Sequence, residues 1–216
     1  MNRLLRDCGG SVLVEFTLVF PVFILVALGT VDVSYMLYEW TLANKAAYAG
    51  AHRAIVSNPV ATGITNLTYD PTLIGQSCFD SGTGAANGNC PSVQVSCQGT
   101  NGGSCTNSYV FDNTAFTNPN RTGIFDRMQQ IFPRLQPQNV TISYQTNNLG
   151  FNGRPDGLPM AVTVSIKCMT HQFYFIDALV PAWAFPSPPG CPAGLQGLAI
   201  PKFASTLQSE GMVTTN

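Results

Sequence analysis

The sequence predicts an α+β protein: a long N-terminal transmembrane and amphipathic helix, then an antiparallel β-sheet domain with a disulfide-stapled loop insertion. Three observations predict it. An apolar run near the N-terminus passes without a break signal into an alanine-rich helical stretch. Two segments in the second half alternate apolar and polar residues. Between helix and strands lies a region rich in Gly, Asn, Ser and Thr that holds Cys78, Cys90, Cys97 and Cys105.

The 216 residues suffice for one anchored domain. Hydrophobic residues make up 45% and charged ones 10%, against about 25% charged in an ordinary soluble domain. A net charge of −1 leaves no basic footprint for nucleic acid. Residues 1–10 read as a short polar leader containing Arg3 and Arg6. Residues 11–38 read as the transmembrane helix, because Val12 to Val31 supplies the roughly 20 apolar residues that cross a bilayer. Tyr35, Tyr38 and Trp40 follow, as in an interfacial aromatic belt. The arginines before the span keep the N-terminus cytoplasmic and send the remainder across the inner membrane. A secretory signal would have a shorter apolar core and a small-residue cleavage site after it; here the small residues, Gly9-Gly10, come before the run.

Residues 39–57 extend the helix. Ala43, Ala46, Ala47, Gly50, Ala51 and Ala54 recur every three or four positions and form a smooth face. That face is expected to pack on the protein's own sheet, with packing against other subunits as a second use. Asn58-Pro59 ends the helix, and residues 58–216 form the extracytoplasmic domain. Residues 60–120 are rich in Gly, Asn, Ser and Thr, and the stretch 77–105 within them reads as a loop system that cannot bury much core by itself. A short amphipathic helix is expected from Thr122 to Phe132, with Ile124, Met128 and Ile131 on one side. NVTISYQT places Val140, Ile142 and Tyr144 on one face, and MAVTVSIKC places Val162, Val164, Ile166 and Cys168 together. HQFYFI is expected to continue the meander, PAWAFPSPPGCP to be a loop, and GLAIPKFASTLQSEGM to add a closing strand.

Seven cysteines are an odd count for an exported chain. Cleavage between Gly10 and Ser11 would remove Cys8 and leave six, enough for three disulfides in an oxidising compartment. The candidates are Cys78, Cys90, Cys97, Cys105, Cys168 and Cys191. About 15 pairings are open; sequence neighbours, Cys78 with Cys90, Cys97 with Cys105 and Cys168 with Cys191, are the simplest set. Each bridge would remove roughly 3 kcal/mol of loop entropy from the unfolded chain. No CxxC pair suggests zinc.

Glu15 is the unusual residue, a carboxylate inside the span. At the bilayer centre it would cost about 2.5–3.5 kcal/mol, and less near the edge. No Lys or Arg lies within a helical turn of it. Cleavage after Gly10 would create an α-amino group on Ser11, mostly protonated at neutral pH with a pKa near 8. On a neighbouring subunit that amine would neutralise Glu15 and set the axial register of a stack. The plainer reading is an interfacial glutamate reaching to water.

Other chemistry is thin. His52 and His171 read as structural, since no nucleophile, base and orienter follow in order. The acids Asp70, Asp80, Asp112, Asp126, Asp156 and Asp177 are scattered, and residues 80–89 lack the acidic spacing of a calcium loop. No metal or cofactor site is expected, and an enzyme is not. A membrane-anchored binding or adhesin module, contacting through the 75–110 loops, is the second reading; a tethered enzyme ranks below it.

The residues so far assembled resemble a known family. GGSVLVEF is similar to the type IV pilin and pseudopilin processing motif, with Gly10, Glu15 and Phe16 in the matching places. The longer stretch to Tyr38, followed by AAYAGAHRA, resembles the TadE-like pseudopilins of tight-adherence (Flp, type IVb) pilus systems. Pro21 in the early helix, Gly29 near its end and the GAR-like Gly50-Ala51-His52-Arg53 carry that resemblance. It covers the first quarter of the chain. Ser11 departs from the aromatic first residue of many classical pilins. The resemblance implies prepilin-peptidase cleavage at Gly10–Ser11, a helix loosened at Pro21, and a minor pilin-like component in pilus assembly. Its partners would be other pilin or pseudopilin subunits and the assembly machinery.

Overall fold

The computed structural model describes residues 9–80, 82–83, 86–100, 102–154, 157–175, 191, 195 and 197–209, with side chains from residue 13 onward. Residues 1–8 of the expected leader, the bulk of the proline-rich stretch 181–192, Asp156, Asp177 and the tail after Ser209 lie outside them. The described residues fall into two compact units. One draws on Met1–Glu39 and Thr170–Ala199, the other on Trp40–Met169 and Ile200–Asn216.

Helix α1 runs from Gly9 to Val56 as one element. After the Gly9-Gly10 pair at its start, leucine, valine, phenylalanine and alanine dominate it, and Asn58-Pro59 lies just past its end at Val56. Pro21 lies inside it and removes the N–H that the Thr17 carbonyl would otherwise accept. In the first unit, the helix from Leu13 to Val26 is exposed all round. The second element of this unit is a two-stranded pair, β7 Thr170–His171 with β8 Leu198–Ala199. The expected continuation of the sheet meander through HQFYFI is therefore wrong. Only His171 of that stretch is in a strand, and β7 pairs apart from the main sheet. Gly197, at φ +104°, lets the chain approach: a Cβ there would fall 2.3 Å from the His171 carbonyl oxygen.

The second unit is an antiparallel five-stranded sheet covered by the C-terminal part of α1. Its strands are β2 Gln94–Gln98, β3 Ser104–Cys105, β5 Val140–Thr146, β6 Met160–Ile166 and β9 Phe203–Ser209, in the order β3-β2-β5-β6-β9. A two-residue pair, β1 Ala61–Thr62 with β4 Val110–Phe111, lies apart from it. Two helices, α2 Asn113–Phe116 and α3 Ile124–Ile131, close the connection from β4 to β5. The register of β5 on β6 pairs Ile142 with Val164 and Tyr144 with Val162, which puts the apolar sets of both strands on one face.

The alanine face of α1 packs onto that side: Ala43, Ala46, Ala47, Ala51 and Ala54 are all buried. Gly50 marks the closest approach, where a Cβ would sit 2.5 Å from Met128 Sδ and 3.2 Å from Val164 Cγ1.

Two expectations need correction here. The 77–105 stretch does reach the core. PSVQVSCQ contributes β2, with Val93, Val95 and Cys97 buried and Gln94 exposed. Period-two alternation wins there over the glycine-rich flanks. Cys168 is not an inward strand residue either. β6 ends at Ile166, and Cys168 turns at φ +59°, half-buried. Disulfides join Cys78 to Cys90 and Cys97 to Cys105, the second bridging paired residues of β2 and β3. Cys168 and Cys191 are each disulfide-bonded too.

Tyr144 anchors the start of the domain. Its fully buried hydroxyl accepts the Val60 N–H at 2.9 Å, and burial pushes the phenol well above its ordinary pKa. Tyr144→Phe would leave the buried Val60 N–H unpaired. Urea denaturation should show a loss of about 1–3 kcal/mol.

Candidate functional site

The candidate residues lie along α1. Gly10 and Ser11 are within the helix, so the backbone is helical through the expected processing position; their side chains are outside the described set. Glu15 is exposed, and among the described residues it makes no ion pair or hydrogen bond. Phe16 is 61% exposed and stacks on Phe20, one turn on, at 5.1 Å between ring centroids. Pro21 follows on the same exposed stretch. The structure thus presents Glu15, Phe16 and Pro21 on an exposed apolar helix surface; among the described residues it brings Glu15 and Phe16 to no other part of this chain, while Pro21 shares a groove with Phe175.

Two further acids on α1 are treated differently. Asp32 and Glu39 are 1% and 2% exposed. Seven residues separate them, which is two turns and about 10.5 Å along one face. The segment from β7 answers both. Glu39 Oε2 lies 2.6 Å from Nδ1 of the fully buried His171. The Asp32 carboxylate accepts the Tyr174 N–H at 3.2 Å on Oδ1 and the Phe175 N–H at 2.9 Å on Oδ2. Aromatic rings close around the imidazole: Tyr35 at 5.8 Å and Phe173 edge-on at 5.1 Å.

Sequence reasoning assigned His171 a structural role and passed over Asp32 and Glu39. The signal was there, in two acids at helical spacing inside GTVDVSYMLYEW, which a solvent-exposed face would not need to bury. The partner lies 132 residues away from Glu39, and no local pattern connects them.

Along the apolar run, Phe20, Pro21, Ile24, Leu25, Leu28 and Gly29 line an open apolar groove of about 480 Å³ with Phe175. Among the described residues no group of three or more His, Cys, Asp or Glu side chains comes together to hold a metal. In the second unit Arg53 donates from Nε to the Thr122 carbonyl at 2.9 Å. Asp126 accepts from Thr117 Oγ1 and from the amides of Asn118 and Gly123, fastening the turn before α3. Both serve the fold.

Residues 10–52 match the model of the TadE-like protein family. No curated protein and no solved structure matches the chain. The match coincides with the exposed apolar part of α1 and most of its alanine face. Over those residues the chain is similar to a family of tight-adherence pilus components. α1 is a helix long and apolar enough to cross a membrane, and it suits a single-pass anchor.

Removing the Asp32 carboxylate should free the two amides it holds. In Asp32→Ala, hydrogen exchange at Tyr174 and Phe175 should accelerate by at least about tenfold, as expected when a charge-assisted bond worth roughly 1.5–3 kcal/mol is lost. Exchange in β5 should be unchanged.

Proposed function

We propose that this TadE-like chain is a minor pilin-like component of tight-adherence type IVb pilus biogenesis. Residues 11–38 anchor it once in the inner membrane, residues 39–57 extend the helix, and residues 58–216 form the periplasmic domain. The leader, residues 1–10, remains on the cytoplasmic side until prepilin peptidase cuts between Gly10 and Ser11. The protein acts by assembling with other pilin or pseudopilin subunits and the assembly machinery.

The observation that carries this reading is Glu15. It is the one charged residue between Val12 and Val31, it stands five residues after Gly10 within the TadE-like match, and nothing described in its own chain neutralises it. The Ser11 amine released by cleavage, presented by an adjoining subunit, supplies the missing positive charge. Phe16 and Pro21 lie on the same uncovered surface, Phe16 for packing between subunits and Pro21 to let the helix bend as it is repacked.

Intact mass of the native protein tests the cleavage: loss of Met1 to Gly10 is expected, while loss through the apolar run would mean an ordinary signal peptide. Glu15→Ala should abolish co-purification with sheared pili and leave membrane anchoring intact. An anchored protein whose wild type never accompanies pili would instead be a tethered binding module.

A further inference from the structure

We infer that the chain makes a second membrane contact, in which Tyr174 and Phe175, held along α1 by Asp32 and Glu39, insert among phospholipids of the leaflet facing the domain. The inference rests on α1 being the membrane anchor.

The path of the segment carries the argument. His171 is fixed at Glu39, the Tyr174 and Phe175 amides are fixed at Asp32, and the Phe175 side chain reaches the groove with Leu25, Leu28 and Gly29. Residues 171–175 therefore run antiparallel to α1, back toward the span. Three extended residues cover about 10 Å, matching the roughly 10.5 Å of helix between Glu39 and Asp32. The groove then lies on residues that belong to the apolar run itself. Tyr174 and Phe175 are nevertheless 71% and 44% exposed, beside the exposed Tyr35 and Tyr38 of the helix. Tyrosine at the end of a span settles at the headgroup level, and phenylalanine is among the residues that interfacial segments bury at the acyl boundary.

The groove fits lipid better than one partner helix. Close helix packing in membranes calls for small residues, and the floor here is Phe20, Ile24, Leu25 and Leu28, with Gly29 alone small. From Leu18 to Val26, where the groove begins, the exposed helix is apolar on every side, as a lipid solvent requires. No charged side chain lines the groove. The nearest carboxylate, Asp32, is already satisfied by two backbone donors, which removes the main cost of placing it at the membrane boundary.

The test uses the full chain in vesicles of phosphatidylethanolamine and phosphatidylglycerol. The photoreactive residue p-benzoylphenylalanine replaces Tyr174, Phe175, Leu25 or Ile74 in turn, Ile74 being an exposed apolar residue of the sheet domain. Lipid adducts at Leu25, Tyr174 and Phe175, several-fold above Ile74, are expected. Asp32→Asn should lower the adduct at Phe175 and leave that at Leu25 unchanged. Adducts at Leu25 alone, lipid labelling at Ile74 equal to that at Phe175, or protein adducts at positions 174 and 175 would each overturn the inference and leave the anchor standing. Absence of an adduct at Leu25 would bring down both.

Discussion

A carboxylate on an apolar helix must be met by donors or by a cation, and α1 carries three such acids under this constraint. Asp32 and Glu39 are met within the chain. Asp32 receives two backbone amides and Glu39 an imidazole, and both acids are buried as a result. Glu15 receives nothing from the described chain and stays exposed. The contrast has a physical meaning. A fold that buries two acids at the cost of ordering residues 171–175 has the means to satisfy such groups internally. The third, on the uncovered apolar part of α1, remains unanswered among the described residues. Its partner is then to be sought on another molecule, and cleavage after Gly10 would create a cation of the required kind on the same segment of a neighbour.

The sheet domain obeys a different constraint, close approach. An alanine stripe has little side chain to bury, so the helix gains stability only if its backbone comes near the sheet and larger residues on the sheet fill the space. Val162, Val164 and Ile142 of the sheet do this, joined by Met128 of α3, and Gly50 is placed where even a methyl group would collide with Met128. The stripe that served as a candidate subunit surface in the sequence is used up here by the protein's own core. What remains uncovered on α1 is its apolar N-terminal part, which the TadE-like match takes in together with most of the alanine face.

This division explains what was legible. The helix, β5, β6 and β9 follow from periodicity, because each buries one face against one partner and writes that face into its own residues. β2 was obscured by neighbours such as Gly99 and the Asn-rich turns. Its own alternation, Val93, Val95 and Cys97 against Gln94, Ser96 and Gln98, was complete all along. Cys168 misled in the opposite direction: the alternation of VTVSIKC extends one step further than the strand, and φ +59° at Cys168 ends the pairing. The acids at Asp32 and Glu39 were unreadable in role because their donors come from a segment more than 130 residues on, and helical spacing alone cannot name a distant partner.

The family match stops at residue 52, four residues short of the end of α1, and the sheet domain lies beyond it. The parts of the molecule therefore answer to different demands. The N-terminal part of α1 suits a membrane anchor, which accounts for its apolar surface. The domain has only to present an alanine-receptive face to α1 and keep its Gly- and Asn-rich loops in place. Cys78–Cys90 ties down a loop that lies outside the sheet, and Cys97–Cys105 secures a two-residue edge strand that has few other contacts. Loops held in this way can differ in sequence without loosening the core beneath them, because the covalent bond takes over the ordering that buried side chains would otherwise provide.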